Sequence, residues 1–145
     1  MGKIPVFLDS SVIIASLLSA TGGSFYIINS LKDEFKFQIN EYALSEIQKV
    51  LKAKFVTQPS LQSRLFLILG TAKISILPNP PRRNEKQAAQ YISKIDATIL
   101  ASALTHSDYL ITLDNEFLKP EITIMSNKKS LIILKPKDFI EKFRV

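Results

Sequence analysis

Four acids in well-separated parts of the chain, Asp9, Glu46, Asp96 and Asp114, carry most of the chemistry this sequence can offer. Asp9 follows "VFL" and Asp114 follows "YLITL", so each stands where an apolar, strand-like run gives way to a helix or turn. In open α/β sheets ligands bind at that edge. An Asp there can equally cap the next helix, its carboxylate accepting from the exposed N–H groups of the first turn. In "KIDATILASAL", Asp96 precedes Ile99, Leu100 and Ala103 by three, four and seven residues, which puts it on an apolar helical stripe. An unpaired carboxylate there is costly to desolvate. The competing reading makes Ser93 an N-cap and Asp96 its first-turn partner. Glu46, in "EYALSEIQKVL", borders the stripe of Ala43, Leu44, Ile47, Val50 and Leu51. It faces either a cleft or water, and in water Lys49 would be its weak ion-pair partner.

If the four carboxylates meet at one strand-end edge, each like-charged pair about 4 Å apart costs roughly 4 kcal/mol at an effective dielectric near 20. Without compensation they would take up protons or splay apart, and a divalent cation reverses the penalty. Hard oxygen ligands, with no cysteine and only one histidine in the chain, suit Mg²⁺ or Mn²⁺. The lack of cysteine also excludes disulfides, thiolate catalysis and Cys-ligated zinc or iron–sulfur centres. The lone His106 falls near the end of the Asp96 helix, where a structural role at the free carbonyls suits it better than catalysis.

The elements that must position these acids are legible as alternating patterns. Val6–Leu8, Ile74–Leu77, Tyr109–Ile111 and Leu131–Leu134 read as strands buried on both faces, and Phe37–Ile39 as a weaker fifth. Between them lie amphipathic helical repeats, including Leu61, Leu65, Ile68 and Leu69. Alternating strands and helices imply a parallel sheet covered on both sides. Gly22 and Gly23 break the first helix, and "PNPPRRNE" reads as a turn-rich basic loop. Pro5 is tolerable as a first strand residue. At 145 residues the chain is expected to form one domain, 1–145, with no linker or repeat dividing it.

A formal charge of +6 favours polyanionic partners, nucleic acid first, although lysines also simply solvate helix faces. Arg82 and Arg83, and less locally Lys52, Lys54, Lys128 and Lys129, are candidates to hold a substrate backbone. Asp9 interrupts what would be the core of a signal peptide, and Val12–Leu18 is too short to span a bilayer. The expected location is cytoplasmic, with no membrane partner.

Four segments, "VFLDSSVII", "YALSEIQKVL", "IDATILASAL" and "YLITLDNEFL", in this order and at these separations, resemble the PIN-domain nucleases. In size and motif order the chain is similar to the VapC-type toxins of prokaryotic toxin–antitoxin pairs. The resemblance implies a three-layer α/β/α sandwich with a five-stranded parallel sheet of order 3-2-1-4-5. It makes Asp9, Glu46, Asp96 and Asp114 the catalytic, metal-holding cluster for Mg²⁺ or Mn²⁺. Ser10, Ser11 and Thr112 would then position a carboxylate, water or substrate. The implied activity is metal-dependent endoribonucleolysis of RNA, leaving a 5′ phosphate and a 3′ hydroxyl. An antitoxin protein and a second protomer in a homodimer are the implied partners. The basic stretch before Asp96 departs from a minimal toxin. A non-toxin RNA-processing nuclease, a catalytically inert binding module, or another doubly wound phosphate-handling protein are the rival readings; against a phosphatase, "DSS" lacks the second Asp two residues after the first.

Overall fold

The computed structural model describes residues 2–144; Met1 and Val145, the two ends of the expected unit, lie outside the described residues. Five strands, β1 (Ile4–Leu8), β2 (Phe35–Asn40), β3 (Ser75–Leu77), β4 (Tyr109–Ile111) and β5 (Ile132–Leu134), form one all-parallel sheet of order β3-β2-β1-β4-β5. The order reverses between β1 and β4. Right-handed crossovers then put α1 (Ser10–Leu18), α2 (Gly23–Ser30), α3 (Glu41–Lys54) and α4 (Ser60–Thr71) on one face. They put α5 (Arg82–Ala88), α6 (Lys94–His106) and α7 (Pro120–Lys128) on the other. A closing helix, α8 (Pro136–Phe143), returns to pack on α2. This is the three-layer α/β/α sandwich with the expected strand order.

The sheet centre is dry because its strands carry the most apolar residues: Val6, Phe7, Leu8, Phe37, Ile39, Leu110 and Ile111 are fully buried. Residues 97–103 of α6 are all buried, and alanines and Ser102 in that run let the helix sit close to its neighbours. At the other end of the sheet, Phe139 and Phe143 of α8 meet Phe35 edge-on, with ring centroids 5.0 and 4.9 Å away.

Several expectations need correction. β2 is an interior strand of six residues, not a weak one; its signal was masked by Lys36, which is exposed, and by Gln38, which is buried and accepts from Ser107 Oγ at 2.6 Å. β3 and β5 are edge strands and only partly covered, so Ile76 is exposed rather than buried on both faces. Ile74 and Leu131 precede their strands instead of starting them. Pro5 is the second residue of β1, not the first; pairing with β4 starts at Val6, and the Pro5 carbonyl accepts from Asp108 N at 2.9 Å. "PNPPRRNE" does not remain a loop: Pro81, extended, hands over to α5, which opens on Arg82 and Arg83. On α4 the repeat holds at Leu61 and Leu65, which are core, while Phe66 and Leu67 just after them face outward. Among the described residues no single helix is long and apolar enough to cross a membrane; α1 and α2 pass that test only as a pair bent by 96°.

Candidate functional site

The site starts from the switch between β1 and β4. Leu8 is fully buried, and the next residue, Asp9, leaves the strand in extended conformation to become the N-cap of α1. Its Oδ1 accepts from Ser10 N at 2.8 Å. Its Oδ2 accepts from Ser11 Oγ at 2.9 Å and from Thr112 Oγ1 at 2.8 Å. The side chain is only 5% exposed. Burial raises the Asp9 pKa from its ordinary 3.8 to about 6; the hydrogen bonds from Thr112, Ser11 and Ser10 oppose that rise, and the charge of Glu46 adds to it.

Thr112 immediately follows β4 and is fully buried. Besides donating to Asp9, its hydroxyl accepts the N–H of Asp114 at 2.9 Å. Asp114 in turn caps the 3₁₀ turn Asn115–Leu118, its Oδ1 accepting from Glu116 N at 3.0 Å. Ser11 Oγ also accepts the N–H of Leu113 at 3.2 Å. Short polar side chains thereby stitch together two strand ends that are about a hundred residues apart in sequence.

Glu46 enters from α3 and accepts from Ser10 Oγ. The ion pair with Lys49 does not form; among the described residues the one salt bridge joins Lys119 to Glu116. Asp96 enters from the first turn of α6. Ser93 caps that helix, accepting from Asp96 N at 3.4 Å and donating to Asp96 Oδ2 at 3.1 Å. The pKa of Asp96 is raised, first by burial and then by the charges of Asp114, Glu46 and Glu116, against the hydrogen bond from Ser93. Capping and site readings thus hold together: Asp9, Asp96 and Asp114 are all caps or first-turn residues, and all three line one cleft.

That cleft, of about 510 Å³, is lined by Asp9, Ser10, Ser11, Glu46, Asp96 and Asp114, with apolar walls that include Ile14, Val50 and Phe55. Among the described residues no three acids close on a single point. Mutual repulsion favours such spacing. Within a chain of net charge +6, none of the four acids has a Lys, Arg or His partner within salt-bridge distance among the described residues. Carboxylate oxygens without cationic partners are the donor type that a hard divalent cation takes, although among the described residues no three of these acids stand close enough together to hold one in this structure.

Of the suggested backbone-holding cations, only Lys54 lines the cleft. Arg82 lines a separate hollow with Ser93 and Lys94, and Lys129 another with Asn84 and Tyr91. His106 is exposed in the last turn of α6. Two residues were missed in the sequence. Asn40 is fully buried and caps α3 by accepting from Ala43 N at 2.9 Å; its Nδ2 donates to Thr98 O at 3.2 Å and to Ser102 Oγ at 2.8 Å. It fastens the helix of Glu46 to the helix of Asp96, and the signal was an Asn directly before a helical repeat. Tyr42 lies close enough to Glu46 and Asp96 that, after burial, their charges raise its pKa.

A family model described as PIN domain matches residues 6–122, from β1 into α7 and including all four acids. The chain belongs to the PIN domain family, whose members are generally nucleases. No curated protein sequence matches it. Among solved structures, its fold is similar to VapBC2 from Rickettsia felis, solved bound to a DNA fragment from their promoter, with TM-score 0.69 at 17% identity over 91% of this chain and 98% of that one. It is also similar to PAE2754 from Pyrobaculum aerophilum, with TM-score 0.66 at 17% identity over 96% and 88% of the two chains. FitAcB from Neisseria gonorrhoeae gives 0.61 at 18% identity over 91% and 98%. At these identities the likeness is one of fold.

Proposed function

We propose that this PIN domain is a divalent-metal-dependent endoribonuclease acting in the cytoplasm. One observation carries the reading: four carboxylates from four separate segments line one cleft with no cationic side chain pairing them among the described residues. Asp9, Asp96 and Asp114 would hold Mg²⁺ or Mn²⁺, with Glu46 as a further ligand or as the base that orients water. The ion supplies Lewis acidity toward a phosphate oxygen and a more acidic water. The protein's own share is positional. Ser10, Ser11 and Thr112 hold the Asp9 and Glu46 heads, and Asn40 and Ser93 fix the helices that carry Glu46 and Asp96.

A toxin role, with an antitoxin partner and a homodimeric state, is part of the same proposal. The fold likeness to VapBC2 and FitAcB, over nearly the full length of those chains, supports it. The nuclease reading is tested by incubating labelled single-stranded RNA with the purified protein in Mg²⁺ or Mn²⁺, beside Asp9→Asn and Asp96→Asn. Cleavage should require the ion and both carboxylates. Cutting that persists in EDTA and in both variants, or RNA binding with no cutting under any condition, would sink it.

A further inference from the structure

An acidic cleft repels the phosphates it is asked to cut, so affinity for a polyanion must come from cations placed beside it. Among the described residues Lys54 is the one cation in the cleft lining. A second groove, of about 620 Å³, adjoins it between α1, α2 and α8. Its rim carries Lys135, Lys137 and Arg144 against a single acid, Glu141, and Ala15, Leu113 and Ile140 give it an apolar floor.

Three observations join this groove to the acids. Ala15 lines both hollows. Leu113 of the groove donates its N–H to Ser11 Oγ, the hydroxyl that also donates to Asp9. The sheet sets the order along its carboxyl edge: β4 and β5 pair Ile111 with Leu134, and Thr112 N donates to Leu134 O at 3.1 Å. Lys135 therefore stands one strand beyond Thr112 and two strands from Asp9, roughly 10 Å at the usual spacing.

Gly23 lines the same groove where α2 approaches α8: an added Cβ would sit in ordinary contact, 3.4 Å from Ile140 Cδ1 and 3.5 Å from Pro136 Cβ.

We propose that this groove receives the sugar–phosphate backbone of the single-stranded RNA on one side of the scissile bond, and this rests on the nuclease reading above. The lysines and Arg144 take phosphates, and the apolar floor takes ribose or base faces. The test measures binding of a short labelled single-stranded RNA in EDTA, so that nothing is cut, across a salt series. Lys135→Ser/Lys137→Ser is compared with Lys3→Ser/Lys36→Ser, an equal charge loss at exposed positions toward the opposite end of the sheet. Two lost phosphate contacts should weaken binding about tenfold or more and flatten the log–log salt slope by about 1.4, at roughly 0.7 per contact, while the control changes neither. Equal affinity and slope in the two variants, or no RNA binding by the wild type, would overturn the groove. Cleavage is scored separately with Mn²⁺: a protein that binds through Lys135 and Lys137 but never cuts keeps the groove and loses the nuclease reading. One that cuts, with binding indifferent to those lysines, keeps the nuclease and loses the groove.

Discussion

The hydroxyl of Thr112 donates to Asp9 Oδ2 at 2.8 Å and accepts the backbone N–H of Asp114 at 2.9 Å, so one fully buried side chain sets the spacing between the first acid and the last. It works because β1 and β4 are neighbours at the point where the strand order reverses. A threonine directly after β4 then meets the residue directly after β1.

Thr112→Val keeps the shape and removes both bonds. It should destabilise the protein by about 1–3 kcal/mol, the usual cost of leaving buried polar partners unsatisfied, seen as a lower urea midpoint with an unchanged slope. The Asp9 carboxylate also loses a donor that favours its charged form, so its pKa should climb further. Thr112→Ser should restore most of both effects. A Val variant as stable as the wild type would show that the bridge is incidental.

Asn40→Ala should cost about 2–4 kcal/mol, combining a lost N-cap with a buried Ser102 hydroxyl left without its partner on α6. Urea unfolding would measure the loss. Because Asn40 touches both α3 and α6, RNA cleavage should fall by more than the folded fraction does. Equal falls would make Asn40 purely structural.

The alternation of elements and the acids at strand ends are legible because hydrophobic runs and the residues that follow them are local signals; the strand order is non-local and came only from the resemblance to the PIN-domain nucleases. β2 was blurred because Gln38 occupies a buried position that only Ser107, far along the chain, makes tolerable. Asn40 escaped notice for a related reason: its cap is local, but its bonds to Thr98 and Ser102 exist only once α3 and α6 meet. The Glu46–Lys49 pair was a sound local expectation that lost to Ser10, a partner brought in by α1. In sequence, cap and ligand are competing roles for Asp9, Asp96 and Asp114. The fold makes them compatible, since capping aims the carboxylates along the strand-end edge.

Asp9 should make stability depend on pH in the direction opposite to an ordinary paired carboxylate. Its folded pKa, about 6, lies above the ordinary 3.8, so between those values the folded state binds more protons than the unfolded one. Stability contributed by this group is full below the lower value and is lost as pH rises through the upper one, by about 3 kcal/mol in total. Asp9→Asn removes the titration. The difference in unfolding free energy between wild type and variant should therefore drift against the wild type from about pH 4 to about pH 6.5 and then level off; a difference that stays flat would contradict the raised pKa.

Divalent cation should reverse that loss. With no salt-bridge partner for Asp9, Glu46, Asp96 or Asp114 among the described residues, Mg²⁺ or Mn²⁺ binding the folded state alone stabilises it by about 2.7 kcal/mol at a hundredfold excess over its dissociation constant. For a chain of this size that corresponds to a rise in Tm of roughly 5–10 °C. The ion competes with the proton on Asp9, so the rise should be large above about pH 7 and small near pH 5. EDTA should abolish it, and Asp9→Asn should show little of it at either pH. Ca²⁺ separates structure from chemistry here, since an oxygen site can hold it without supporting catalysis. A melting temperature indifferent to all three ions above about pH 7 would leave the acids as helix caps and remove the ground for a metal-dependent reaction.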